Sequence, residues 1–185
     1  MAYTVEEIVS TSPVIPVIVV DKLEQAAPLA QALYNGGLKV LEITLRTAVA
    51  MDAMKAMKAA VPDAIVGAGT VITPQDVEAS VAAGADFLVS PGTSDEMIDA
   101  ALAQDIPILP GVATPSEAMR LAAKGVTHLK FFPAEAAGGI PMLKSIGGPL
   151  AKLRFCPTGG ITLQKAPEYL ALPNVVCVGG TWTIP

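Results

Sequence analysis

The feature that most constrains this chain is a repeat of alternation. Short β-branched runs alternate with Ala-rich amphipathic stretches at a spacing of roughly 20–25 residues, the signature of βα units and a parallel sheet. The runs that read as strands are 14–20, 39–45, 64–67, 86–90, 106–110, 128–132, 153–157 and 175–178. Helical patterning falls at 23–34, 48–60, 74–83, 94–103, 115–123, 140–146 and 164–170, with a further short helix near 5–9 that would cover the bottom of the sheet. Thr73 before Pro74 and Thr114 before Pro115 read as N-caps with proline in the first turn. Gly36-Gly37, Gly84 and Gly125 read as helix ends. Eight strands separated by helices predict an α/β fold of the closed TIM type, a parallel (β/α) barrel. The sequence ends at Pro185, before any helix that would follow strand eight in such a barrel. An open sheet would leave its last strand as an apolar edge.

At 185 residues the chain suits a single domain, 1–185, with no linker or low-complexity segment. Hydrophobic residues make up 52%, enough for a sizeable core. The mean hydropathy of +0.54 raises the question of a membrane. The longest strongly apolar stretch, 14–20, is far short of the roughly 20 residues that a spanning helix needs. With an acidic N-terminus lacking an apolar signal core, the chain reads as cytoplasmic. A net charge of −5 without a basic cluster argues against nucleic acid or an anionic membrane as partner. Cys156 and Cys177 lie in apolar runs and read as buried free thiols. One histidine, His128, disfavours a zinc site, which usually takes two or three imidazoles or a cysteine cluster.

In barrels of this type the reacting groups sit at the carboxyl ends of the strands, so polar residues that interrupt apolar strands there carry weight. Along 128–132 alternation sets Lys130 opposite Leu129 and Phe131. If those two pack outward, Lys130 points into the barrel. A lysine stripped of water is driven toward the free amine, the form that attacks a carbonyl. The competing reading is a lysine that snorkels to solvent or pairs with a buried carboxylate. Along 40–46, Leu41, Ile43 and Leu45 take one face and Glu42, Thr44 and Arg46 the other. Burying three polar groups is costly unless each has a partner. Glu42 is then a candidate proton shuttle and Arg46 a candidate grip for a substrate carboxylate. A structural ion pair of Glu42 with Lys130 or Arg46 is the alternative. Two glycine turns, Thr158-Gly159-Gly160 and Gly179-Gly180-Thr181, stand after strands seven and eight, where barrels often bind phosphate through backbone N–H groups. Small or rigid residues also close the strands at Gly67-Ala68-Gly69-Thr70, Ser90-Pro91-Gly92 and Pro110-Gly111. Together these residues suggest a phosphorylated keto acid handled through an imine.

The stretches LEITLRT (41–47), VGAGTV (66–71), SPG (90–92), LPGVATPSE (109–117), KFFPAE (130–135), RFCPTGGI (154–161) and VGGTW (178–182) resemble the 2-keto-3-deoxy-6-phosphogluconate (KDPG) aldolases and 4-hydroxy-2-oxoglutarate aldolases over nearly the whole chain. The resemblance implies a lyase in which Lys130 forms the Schiff base and Glu42 is the general acid/base. It implies that Arg46 and Thr70 bind the pyruvyl carboxylate and that Pro91 and Phe132 wall the pocket. It assigns Thr158, Gly159, Gly160, Gly179 and Gly180 to the substrate and phosphate side, with Thr181 where many members have serine. Such enzymes are homotrimers of the Entner–Doudoroff pathway that use neither metal nor cofactor, and they continue into further helices after the Trp182 region. Activity on 4-hydroxy-2-oxoglutarate or the phosphogalactonate substrate is an alternative within this resemblance. Outside it stand a sugar-phosphate isomerase or synthase on a similar barrel and a non-catalytic assembly scaffold. In helix 48–60 the stripe of Met51, Met54, Met57 and Val61 reads as core packing, whereas Ala50, Ala53, Ala56 and Ala60 leave the rest only weakly polar, which places part of the helix in a subunit interface.

Overall fold

The computed structural model describes residues 3–184. Helix α1 (Val5–Thr11) precedes β1 (Val14–Ile18), and a 3₁₀ turn (Leu23–Gln25) leads into α2 (Ala26–Asn35). There follow β2 (Val40–Thr44), α3 (Ala50–Ala60), β3 (Ile65–Gly69), α4 (Pro74–Ala82), β4 (Leu88–Val89), α5 (Asp95–Ala103), β5 (Ile108–Leu109) and β6 (Gly111–Val112). The chain continues through α6 (Pro115–Ala123), β7 (His128–Phe131), α7 (Gly139–Gly147), β8 (Arg154–Pro157), α8 (Ala166–Leu170) and β9 (Val178–Gly180). Thr73 and Thr114 cap α4 and α6 as the sequence predicts, each in a capping box, closed by Asp76 and Glu117.

All strand pairs are parallel. One sheet has the order β5-β4-β3-β2-β1-β9 and the other β6-β7-β8. Pro110 stands between β5 and β6, lacks an N–H, and accepts from Lys130 N at 2.9 Å. At the other border, isolated bridges join Phe155 to Val175 and Thr158 to Gly179. These pairings establish an α/β fold on a curled parallel sheet.

The curl separates two cores. Leu41, Ile43, Leu129, Phe131 and Phe155 point outward and pack against the helices. Ile15, Val40, Ile65, Phe87, Val89, Leu109, Cys156 and Cys177 form a second cluster on the inner face, closed at the amino ends of the strands by Ile8 and Val9 of α1. Both cysteines are free and buried. Among the described residues no helix is long and apolar enough to cross a membrane.

Several boundaries differ from the sequence reading. The last strand runs over Val178–Gly180, whereas the β-branched run at 175–178 draws the reading upstream. Val175 makes only one bridge, and the ladder to β1 is carried by Val178, Gly179 and Gly180. The expected strand 106–110 is split at Pro110 between the two sheets. The expected strand 86–90 is regular only over Leu88–Val89, although Asp86 N still donates to Val66 O at 2.8 Å. The stripe on α3 packs in the core as the sequence predicts, with Met54 and Met57 fully buried, Val61 nearly so and Met51 partly buried.

Candidate active site

Lys130 lies on β7 between Leu129 and Phe131, both fully buried in the outer core, so its side chain enters the interior. Glu42 lies on β2 between Leu41 and Ile43 in the same way. The two strands belong to different sheets, yet Lys130 Nζ is 3.4 Å from Glu42 Oε1. Lys130 is only 5% exposed and Glu42 only 3%. Lys130 is the one buried lysine among the described residues.

The geometry is informative because it is a poor structural ion pair. A tight ammonium–carboxylate bond measures about 2.7–2.9 Å, and burying such a pair repays its desolvation only when the remaining lone pairs and protons are also satisfied. Among the described residues no other hydrogen bond reaches either side chain, and Lys130 Nζ also lies 5.3 Å from the centroid of the Phe132 ring. The fold therefore holds an amine and a carboxyl close together in a dry site without consuming either. Space for this comes from Gly69, at which a Cβ would collide with the Glu42 carboxyl.

Around this pair the structure sets other residues named by the sequence. Thr44 is fully buried and donates from its hydroxyl to Ile18 O at 2.9 Å, so it ties β2 to β1. Arg46, exposed beyond the end of β2, donates from Nε to Thr70 Oγ1 at 3.3 Å. Thr70 has φ of 62°, a left-handed backbone that costs a β-branched residue about 1–3 kcal/mol and that clusters at functional sites. Pro91 lies against Gly111, where a Cβ would collide with the Pro91 carbonyl. Phe132 links the two halves of the site, since its ring lies beside Lys130 and also 3.3 Å from where a Cβ on Gly159 would stand.

The two glycine turns are neighbours, joined by the Thr158–Gly179 bridge, with Thr158 buried and Thr181 exposed. Gly159 and Gly160 have φ of 101° and 76°, a conformation that L side chains rarely adopt, so this turn needs glycine twice. A Cβ on Gly180 would strike the Trp182 ring. Sequence reasoning missed a third set beside these turns. The Glu135 carboxylate accepts from both the Lys165 ammonium and the Tyr169 hydroxyl. Glu135 stands inside the KFFPAE stretch, but nothing local in the sequence ties it to residues 30 and 34 positions away.

The family model for KDPG and KHG aldolases matches residues 5–185. The chain belongs to the KDPG and KHG aldolase family. It is 52% identical over 180 residues to the 2-dehydro-3-deoxy-phosphogluconate aldolase of Dickeya dadantii, covering 97% of this chain and 84% of that protein. Among solved structures it is similar to KDPG aldolase from Legionella pneumophila with pyruvate captured at low pH as a covalent carbinolamine intermediate. That match has a TM-score of 0.97 and 52% identity, covering 99% of this chain and 89% of the other. It is similar also to the 2-keto-3-deoxy-6-phosphogluconate aldolase of Zymomonas mobilis with 3-phosphoglycerate. There the TM-score is 0.96 and the identity 46%, over 98% of this chain and 86% of the other.

Proposed function

We propose that this chain is a class I (Schiff-base) aldolase, a carbon–carbon lyase that cleaves 2-dehydro-3-deoxy-6-phosphogluconate to pyruvate and glyceraldehyde 3-phosphate. The observation that carries the reading is the buried Lys130–Glu42 pair, 3.4 Å apart. A carbinolamine is the adduct of an amine and a ketone, and a close relative forms one with pyruvate. Lys130, the buried lysine, is the amine that fits.

Lys130 Nζ adds to the C2 carbonyl of the substrate, and the resulting carbinolamine loses water to leave a protonated imine. That cation is an electron sink for the neighbouring bond. Glu42 takes the proton from the C4 hydroxyl, the C3–C4 bond breaks, and its electron pair passes into the imine to give an enamine. The aldehyde leaves, Glu42 returns the proton to C3, and water hydrolyses the imine to free pyruvate and Lys130. A carboxyl that gives and takes a proton in a water-poor site suits this double role. Arg46 grips the substrate carboxylate at C1, with Thr70 as its partner. Pro91 and Phe132 wall the pocket. Thr158, Gly159, Gly160, Gly179, Gly180 and Thr181 receive the phosphate through backbone N–H groups and hydroxyls.

We propose also that the curled sheet closes as an eight-stranded barrel, with β5 and β6 counted as one strand bent at Pro110. The Thr158–Gly179 bridge and the Lys130–Glu42 contact across the interior support closure. The protein is then a single-domain, cytoplasmic homotrimer, as the family resemblance implies, and its chemistry calls for no cofactor. The family's description names a second substrate, so 4-hydroxy-2-oxoglutarate is the alternative. A coupled assay of pyruvate release tests the reading: the phosphogluconate substrate is cleaved with higher kcat/KM than its galactonate epimer or 4-hydroxy-2-oxoglutarate. Release of pyruvate from none of them contradicts it.

A further inference from the structure

The loop after β7 makes contacts that the lysine chemistry does not use. Glu135 N donates to Gly159 O at 3.1 Å and Ala134 N to Thr158 O at 2.8 Å, so the loop is stitched to the glycine turn by two backbone bonds. The Glu135 side chain presses on the same turn, since a Cβ on Gly160 would lie 2.7 Å from its Cγ. Phe132 and Pro133 hold the turn at Gly159, each 3.3 Å from a Cβ built there. The Glu135 carboxylate is in turn fixed to α8, with one oxygen accepting from Tyr169, only 1% exposed, and the other from Lys165. Two directed bonds on a carboxylate whose stem touches a glycine turn make a brace between α8 and that turn.

The charge arrangement has a meaning of its own. A bare carboxylate beside a phosphate-binding turn would repel the phosphate. Lys165 cancels that charge locally, and its bond, followed by that of Tyr169, holds the Glu135 carboxyl below the usual carboxylate range. The brace thus stays intact at neutral pH without presenting a net negative charge.

We propose that Glu135 is a positioning residue that sets the turn at 158–160 for the phosphate end of the substrate, with Tyr169 orienting its carboxylate and Lys165 neutralising it. The inference rests on the reading above that this turn receives phosphate. It separates two parts of the site: Lys130 and Glu42 handle the keto acid, while Glu135 acts only through the turn.

Pyruvate carries no phosphate, so it isolates the first part. Steady-state cleavage of the phosphorylated substrate and borohydride capture of pyruvate are measured for the wild type, Glu135→Ala, Glu135→Gln and Tyr169→Phe. Glu135→Ala raises KM for the phosphorylated substrate about tenfold, the scale of a misplaced binding group, and leaves half-saturation by pyruvate within about twofold. Glu135→Gln, which still accepts from Tyr169, restores most of the KM. Tyr169→Phe raises KM in the same direction by less, and it carries the test if Glu135→Ala does not fold. An unchanged KM in Glu135→Ala, or pyruvate capture weakened in step with KM, overturns the proposal. A wild type that neither cleaves nor captures overturns the functional reading along with it, whereas an active wild type with an indifferent Glu135→Ala overturns this inference alone.

Discussion

At the amino ends of the strands the inner face is filled by Ile8 and Val9 from α1 against Ile15, Val40, Ile65 and Phe87. Two residues further along the same strands, Val40 gives way to Glu42 and Ile65 to Gly67; two more, and Thr44 and Gly69 stand in their places. One end of the interior buries branched apolar side chains and gains stability from them. The other spends its space on glycine and on a buried amine–carboxyl pair with one long hydrogen bond. The contrast teaches that the stable half holds the costly half in place, so damage at the two ends should separate into loss of folding and loss of chemistry.

Substitutions that break this contrast rank by expected effect. Lys130→Ala removes the proposed nucleophile and lowers cleavage on the order of 10⁴-fold or more, with an unchanged melting profile, measurable by pyruvate release at high enzyme. Glu42→Gln keeps the shape but carries no proton, and kcat falls by roughly 10²–10⁴-fold while Lys130 still meets the carbonyl. Ile8→Ala, at the other end, costs about 2–5 kcal/mol of unfolding free energy in urea, with kcat nearly intact at temperatures where the chain stays folded.

The smallest effect sharpens the comparison through pH. Burial pushes the half-buried His128 imidazole, at the amino end of β7, below its ordinary value of 6.5; Glu6 opposes that and Arg154 adds to it. With the folded value depressed, the unfolded chain binds more protons in acid. The stability His128 contributes is therefore present above about pH 6.5 and is lost as pH falls through the lower folded value. His128→Asn abolishes that part of the slope, read as urea midpoints on either side of the window. A variant whose slope matches the wild type contradicts the assignment.

Much of this was legible in the sequence, for reasons that differ by region. Strand spacing and proline-assisted helix starts are local signals, and so is the alternation that turns Lys130 and Glu42 away from apolar neighbours on both sides. Their meeting across the interior follows from the curl, which no local pattern encodes. The last strand reads upstream of its true position because Gly179 and Gly180 have weak strand propensity beside the valine run before them, and pairing with β1 overrides that preference. The break at Pro110 is a local signal whose consequence, strands in two sheets, depends on the whole ladder. Glu135, Lys165 and Tyr169 come from three separate segments, so only the assembled fold brings them together.

The most direct test incubates the protein with pyruvate, reduces with borohydride, and maps the adduct by peptide mass spectrometry. The expected result is a single covalent pyruvate on the peptide that contains Lys130, absent in Lys130→Ala. A label on any other lysine, or none, contradicts it.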